Sequence, residues 1–446
     1  MKNTFLLIIF LSLLGNINAQ IKPWTLKDCL TYAEKNNIQI KQANLLIDQA
    51  KVNKNTSTMA YLPTIRSSAS VSWNNGLTQN FTTGVLENQT NFGGNGSIGS
   101  NVNLFSGFQN RYNYKKSLLE IISAQYQYKD VIKNIQTQIA SAYVQILLAK
   151  ENLSNTKYQL ENSIKQKERI KELIDAGVSP KGDLTDAEAQ ITNDNLQVIQ
   201  AENAYQLAKL SLAQLLELKN PNDFEIKENE SDLQIDESLL LAKPENLVSK
   251  AEKVNYKLKN AEIKKQISTY QTKLAKASLL PSLSGFVNVN SRYSDRKNIG
   301  FGGITTPADP LWEQVKNNRG LTYGFSLNIP ILNGFRMRNN VKLSKINEQR
   351  TVFEYENNRK QLRNDIYKMQ LDVKSAFQSL KAAEANLKAQ QKAYDYATEK
   401  FKVGVMNIFD LNNVKVKYQR AENQYINAKY QYYLKSKLLE FNVSNY

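Results

Sequence analysis

The sequence predicts an α+β membrane protein, in which four transmembrane β-strands per chain contribute to a β-barrel shared between copies and continued by long coiled-coil α-helices. Three observations carry that expectation. The chain beyond its first twenty residues is one pattern written twice, each half holds two alternating segments of about ten residues, and each holds a long heptad-patterned helix.

Composition excludes much before any motif is read. The 446 residues are 41% hydrophobic and 22% charged, with a formal charge of +17 from 58 Lys+Arg against 41 Asp+Glu. There is no His and one Cys, so Ser-His-Asp or Cys-His nucleophiles, imidazole metal sites, internal disulfides and CxxC motifs are all ruled out. No enzyme activity, catalytic residue, cofactor or metal is expected. The basic residues are interleaved with acidic and amide side chains, as in Lys165, Lys167, Glu168, Arg169, Lys171 and Glu172. That pattern reads as a solvated helix face, so nucleic acid is not an expected partner.

Residues 1–19 read as a secretory signal peptide. Lys2 precedes the apolar run Phe5 to Leu14, and Ala19 stands at the expected cut before Gln20. Cleavage would remove one lysine and leave +16, and no Cys stands at the cut to carry a lipid anchor. After Leu14 no apolar stretch is long enough for a spanning helix of about 20 residues. A β-barrel remains open despite a mean hydropathy of −0.50, because alternating strands average to a polar score.

The repeat sets the domain plan. Asn37 to Ile65 resembles Asn255 to Leu283 at an offset of 218, with Pro63 and Pro281 each closing a helical pattern. Phe105-Ser106-Gly107-Phe108 then matches Leu332-Asn333-Gly334-Phe335, and Gly177-Val178 with Asp183-Leu184 matches Gly404-Val405 with Asp410-Leu411, both at an offset of 227. The first repeat is expected over 20–219, an acidic, Pro-bounded linker or accessory element over 220–245, and the second repeat over 246–446.

Four segments alternate. Ile65, Ser67, Ala69, Val71 and Trp73 share one face against Arg66, Ser68, Ser70 and Ser72; Ile98, Ser100, Val102 and Leu104 oppose Ser97, Gly99, Asn101 and Asn103. Leu283, Val287, Val289 and Tyr293 oppose Ser284, Asn288, Asn290 and Arg292, with Phe286 as an exception. Leu321, Tyr323, Phe325, Leu327 and Ile329 oppose Thr322, Gly324, Ser326 and Asn328. Half-buried strands on a soluble core give the same period. Trp73 and Tyr293 near strand ends, and an expected long polar loop joining each pair, favour a barrel. Single-chain barrels start at about eight strands, and open edges in lipid leave backbone groups unsatisfied, so four strands require partner copies. Two, three or four chains satisfy that arithmetic equally.

From Phe108 to about Ala176 the chain has no Pro and no Gly. Ile132, Ile135, Ile139, Ala142, Ile146, Ala149 and Leu153 step by three and four, as do Leu362, Ile366, Met369, Val373, Ala376 and Leu380. This period specifies coiled-coil packing. Breaks at Gly177 and Gly404 end each long helix, and shorter helices return from Asp183 and Asp410, whose carboxylates suit N-caps.

Taken together, the Leu62-Pro63 and Leu280-Pro281 helix ends, the Gly107 and Gly334 strand-helix junctions and the two Gly-Val-x4-Asp-Leu tips resemble the TolC-like outer-membrane efflux family (outer membrane factors). The resemblance covers essentially the whole chain after the leader. It implies a homotrimer whose twelve strands form one barrel in the outer membrane of a Gram-negative bacterium, continued by a helical barrel across the periplasm. It implies a passive channel-tunnel of a tripartite export system, opened by an inner-membrane pump and a periplasmic adaptor (membrane fusion protein), that conducts small toxic compounds or secreted proteins. It also implies a periplasmic gate at Asp410 and Asn413, with Asp183 and Asp186 at the first tip. Asn413 departs from the family's acidic pattern there, and Met406 stands where some relatives carry a closing Arg, so a salt bridge at that position is not expected.

Two other signals are set aside. Gly94 to Gly99 fits GxGxxG but opens no helix, and reads as loop glycines. Cys29 reads as a small core residue. A non-pore periplasmic coiled-coil adaptor or structural protein would leave the alternating strands without a purpose, and a secreted basic binding protein would need clustered charge, which is not apparent along the chain.

Overall fold

The computed structural model describes residues 23–79, 85–219, 224–227, 238–295, 298–299 and 305–444. The leader expected over 1–19 lies outside these, as does most of the 220–245 linker. The helices are α1 (Leu26–Asn36), α2 (Ile38–Met59), α3 (Gln109–Asp175), α4 (Gly182–Leu216), α5 (Ser238–Leu241), α6 (Pro244–Val254), α7 (Tyr256–Ala277), α8 (Leu311–Asn317), α9 (Arg336–Lys402) and α10 (Ile408–Val443). The strands are β1 (Thr64–Gln79), β2 (Leu86–Phe105), β3 (Ser282–Ser294), β4 (Asn298–Ile299), β5 (Thr305–Thr306) and β6 (Gly320–Asn328). The fold is α+β and mostly helical, with a β-sheet portion.

The chain packs as two units, each drawing on both sequence halves. A helical unit comprises the chain up to Leu45, Tyr126–Lys259 and Asn357 onward; a sheet unit comprises Leu46–Gln125 and Asn260–Glu356.

In the helical unit, α1 opens with a capping box: the Thr25 hydroxyl accepts from the Asp28 amide (3.2 Å) and the Asp28 carboxylate accepts from the Thr25 amide (3.0 Å). Cys29, Ala33, Ile135, Ile139, Ile146, Leu212 and Tyr430 form one core around α1, α3, α4 and α10. The 3.5-residue stripe of α3 is what places Ile135, Ile139 and Ile146 there. Part of the linker is recruited too: Phe224 and Ile226 are buried, Trp24 bridges Ile226, and the Tyr143 hydroxyl donates to the Lys227 carbonyl at 2.7 Å. Cys29 is fully buried, and burial pushes its thiol up to about 12, as an inert core residue requires.

In the sheet unit, four strands pair antiparallel in the order β1-β2-β3-β6, leaving β1 and β6 as edges. Ile65 pairs with Ser100, and Leu283 with Leu327; the offsets of 218 and 227 carry the first register onto the second. Between the halves, Ile98 pairs with Val289.

Two expectations need correction here. The first strand pair is not joined by a long loop: β1 runs on to Gln79 and β2 begins at Leu86, so Trp73 lies inside its strand rather than near its end. Backbone hydrogen bonding overrides the low strand propensity of Asn and Gly, because the ladder already registered below simply continues. Gly94 to Gly99 are for the same reason strand residues and not loop glycines. Gly94 sits directly against Val71, where an added Cβ would meet the Ser70 carbonyl oxygen at 3.0 Å.

The two sheet faces differ sharply. Ile65, Trp73, Leu321, Tyr323, Phe325 and Leu327 share one face and are all more than half exposed. On the other face Ser68 and Ser97 hydroxyls lie 2.9 Å apart, and Ser70 donates to Asn95 at 2.7 Å. Phe286, the exception in the alternation, lies on this polar face opposite Gly324, whose missing side chain makes room for its ring at 3.4 Å from an ideal Cβ. The short α8 is anchored on β3: the Ser291 hydroxyl donates to the Val315 carbonyl, and the Gln314 amide group pairs with the Ser294 backbone.

Candidate functional site

Two features of the fold are candidates for function: the helix tips, within the helical unit, and the strand-helix junctions with their sheet, within the sheet unit.

At the tips, both long helices end in the same way. Gly177 and Gly404 take φ of +73° and +74°, and the following amides, Val178 and Val405, donate back to the Leu173 and Lys400 carbonyls at 2.8 and 2.9 Å. This is a Schellman closure, in which glycine avoids the Cβ clash of the left-handed region. The returning helices do not begin as the sequence predicts. Asn407 caps α10, its side-chain oxygen accepting from the Asp410 amide at 2.8 Å, so Asp410 is the third helical residue and not the cap. Asp183 is the second residue of α4, which begins at Gly182 without a side-chain cap, and its carboxylate accepts from the Ser179 hydroxyl at 2.6 Å. In both cases a residue or two upstream already has helical geometry, which displaces the aspartate from the cap into the first turn, where it still opposes the positive end of the helix dipole.

Asp410, Asn413 and Asp186 are exposed, and Asp183 is half-buried. Behind them Ile170, Ala187, Ala397, Phe401, Ile408 and Leu411 form a separate small core from α3, α4, α9 and α10, with Met406 packed against it. Met406 therefore acts as an apolar anchor of the second tip.

A charged cluster that sequence reading missed lies in the same unit. Ser163 on α3, Asp194 on α4 and Lys415 on α10 are all buried. Lys415 donates to the Ser163 hydroxyl, which donates to Asp194; the ammonium lies 3.8 Å from that carboxylate, whose other oxygen accepts from Gln190 at 2.8 Å. Burial pulls the Lys415 ammonium below its ordinary range, and the Asp194 charge acts against that shift. Nearby, burial and then Glu422 push the Tyr418 phenol up to about 12. Periodicity places the three positions on helices but gives no sign that they converge.

At the junctions, Gly107 and Phe108 take φ of +60° and +70°, and Gly334 and Phe335 take +62° and +59°. Two consecutive left-handed residues turn the chain from strand into helix, and for a phenylalanine this conformation costs about 1–3 kcal/mol. An added Cβ on Gly107 would lie 2.7 Å from the Ala277 carbonyl oxygen and 2.9 Å from Leu280, beside Pro281, so the turn is fitted against the end of α7. Gly334 meets nothing within 4 Å, and Met59 and Leu62, beside Pro63 at the matching end of α2, are each 56% exposed.

Similarity to known proteins agrees with this geometry. The family model "Outer membrane efflux protein" matches residues 30–217 and 247–441. The chain is 22% identical over 315 residues to outer membrane protein TolC of Vibrio cholerae, covering 69% of this chain and 67% of that protein. Its fold is similar to the outer membrane protein VceC of Vibrio cholerae (TM-score 0.73, 15% identity, 94% of this chain and 96% of that one). It is similar also to the CmeC outer membrane channel of Campylobacter jejuni (TM-score 0.70, 20% identity, 94% and 85%). The open-state MtrE outer membrane channel of Neisseria gonorrhoeae gives a TM-score of 0.72 at 16% identity, covering 94% and 88%.

Proposed function

This chain belongs to the outer membrane efflux protein family, and from that membership we propose that three copies close one twelve-stranded barrel to form the exit duct of a tripartite export system. It is an efflux channel protein of the outer membrane with a long periplasmic helical part. The duct conducts passively, carries out no catalytic step, and takes small toxic compounds or secreted proteins from an inner-membrane pump through a periplasmic adaptor.

The observation that carries this reading is the register of the sheet. The offsets that superpose β1-β2 on β3-β6 also carry the internal Ile98-Val289 pairing onto Phe325 with Val71 of the neighbouring subunit. Edge β6 then pairs with edge β1 with apolar residues meeting apolar residues, and no edge is left open to lipid. Gly334 supports the same contact: its partner in the neighbouring subunit would be the exposed Met59-Leu62 helix end, as Ala277-Leu280 is for Gly107. The dimensions fit a bilayer. From Leu283 to Tyr293 the apolar face rises about 33 Å along β3, or roughly 25 Å at the usual strand tilt. Trp73, Phe92 and Tyr293 cluster at its upper border with ring centroids 4.9 and 5.8 Å apart, as an interfacial girdle would.

At the other functional surface, three Asp410 carboxylates, one per subunit, form the acidic ring of the periplasmic gate. Asn413 leaves that ring single, and Asp183 and Asp186 lie on the first tip.

Cysteine pairing tests the closure. In a Cys29→Ala background, Ser326→Cys with Ser70→Cys is expected to yield covalent trimers under mild oxidation, because the predicted partners face each other at about 4.5–5.5 Å between Cα atoms. Ser326→Cys with Val71→Cys places the thiols on opposite faces and yields none. A ladder ending at dimers or tetramers, or equal yields from both pairs, would overturn the trimeric closure.

A further inference from the structure

The net positive charge is gathered at one level of the sheet unit. In the ten helical residues adjoining each strand there are two Lys/Arg on α2, three on α3, two on α7 and four on α9, and no Asp or Glu on any of them. The connecting segments to the strands carry no charge. Acidic residues resume only beyond this level, at Asp48, Glu120, Glu262 and Glu348. Ten residues of helix span about 15 Å, which matches the headgroup layer of about 5–7 Å together with a Debye length of about 8 Å.

The order of residues at the crossings matches a membrane border. Ile331, Leu332 and Phe335 are 91, 79 and 57% exposed; immediately after them come Arg336 and Arg338, both exposed, with the Arg338 guanidinium 5.6 Å from the Phe335 ring centroid. Leu104, Phe105 and Phe108 precede exposed Arg111 in the same sense, and Leu279 and Leu280 follow exposed Lys276. Long basic side chains bordering an apolar belt through an aromatic ring are placed to reach phosphate while their stems lie on hydrocarbon.

We propose that this basic collar binds the phosphate headgroups of anionic phospholipids in the leaflet on the helical side of the barrel. The proposal rests on the reading of the sheet as a membrane barrel. Each trimer would present thirty-three bases. Lys51 pairs with Asp48 (2.8 Å) and Lys116 with Glu120 (3.4 Å) at the edge of the band, and Lys273 and Lys276 act on Glu348, so the remaining bases, Arg336, Arg338 and Lys342 among them, are the ones whose partner is the lipid.

The test uses the full-length trimer in vesicles of phosphatidylethanolamine with a minor fraction of phosphatidylglycerol, extracted with its lipid annulus and analysed by mass spectrometry. Phosphatidylglycerol is expected to be enriched in the annulus, less so at high salt. Arg336→Gln/Arg338→Gln/Lys342→Gln should lower the enrichment by at least about fivefold, and Arg336→Lys/Arg338→Lys/Lys342→Arg should preserve it, with both variants still running as heat-resistant trimers. Equal enrichment in wild type and the Gln variant would overturn the collar. So would unchanged enrichment with a shifted reversal potential in planar bilayers, which would assign the bases to the pore. Failure of the wild-type protein to insert at all would overturn the barrel reading itself, and an inserted, conducting trimer without lipid preference would overturn only the collar.

Discussion

The two units of the molecule bury different things. Among the described residues, all twelve of the largest fully buried side chains, from Tyr143 and Phe224 to Ile366 and Tyr430, belong to the helical unit. The buried hydrophobic residues of the sheet unit are small or few, such as Ile47, Ala50, Ala124, Ala275 and Ala277, while Phe325, Tyr323 and Ile65 are each more than 70% exposed. The same chain thus builds one unit whose apolar residues find each other and one whose apolar residues are left exposed. An apolar face this extensive, on a protein of the outer membrane, suits the lipid contact and subunit pairing proposed for it. Charge follows the same division. The sheet-bordering helical turns are wholly basic, whereas the first and last ten helical residues at the two tips hold seven Lys/Arg against nine Asp/Glu.

The largest effect that would break this contrast lies in the buried cluster of the helical unit. Asp194→Ala leaves Lys415 buried without its carboxylate and should cost about 3–5 kcal/mol, read as lost hydrogen-exchange protection in α4 and α10. Asp194→Leu with Lys415→Met should recover most of it, and wild-type protection in Asp194→Ala would show that the pair is not structural. The sign of the pH dependence follows from burial. Protonated Lys415 is disfavoured in the folded state, so this destabilising contribution is present at neutral pH and fades as pH rises through the lowered folded value towards 10.5.

Core and sheet substitutions sharpen the comparison at a slightly smaller scale. Ile139→Ala removes fully buried volume and should cost about 2–5 kcal/mol in denaturant titration. Phe325→Arg should cost about 2–4 kcal/mol when folding is measured into lipid vesicles, although Phe325 is exposed in the single chain. A neutral or stabilising Phe325→Arg would mean that the face meets water. The smallest effect is expected at the tip: Asp410→Ala should weaken block of single channels by multivalent cations with little change in stability, since Asn407 supplies the cap. Unchanged block would remove Asp410 from the gate.

Much of this architecture is legible residue by residue. The stripe through Ile135, Ile139 and Ile146 fixes the buried face of α3 because a helix repeats geometrically, and the alternation through Leu321 to Leu327 fixes the faces of β6 for the same reason. Glycines before the returning helices mark both tips, because only glycine enters the left-handed region without strain. What failed was local context. The extent of β1 and β2 depends on a ladder continuing through Asn and Gly, and the caps depend on where helical geometry starts, which put Asn407 and not Asp410 at the boundary.

By itself the sequence determined the absence of histidine chemistry and the faces of its helices and strands, since each is a matter of composition or period. Only the tertiary structure decided which distant residues meet. It brought Ser163, Asp194 and Lys415 together across three helices, and set Gly107 against the end of α7. It also gathered basic residues that look dispersed along the chain into one level of the sheet unit. Charge spacing in sequence is one-dimensional, and four helix ends converge on one sheet only when the strands between them pair.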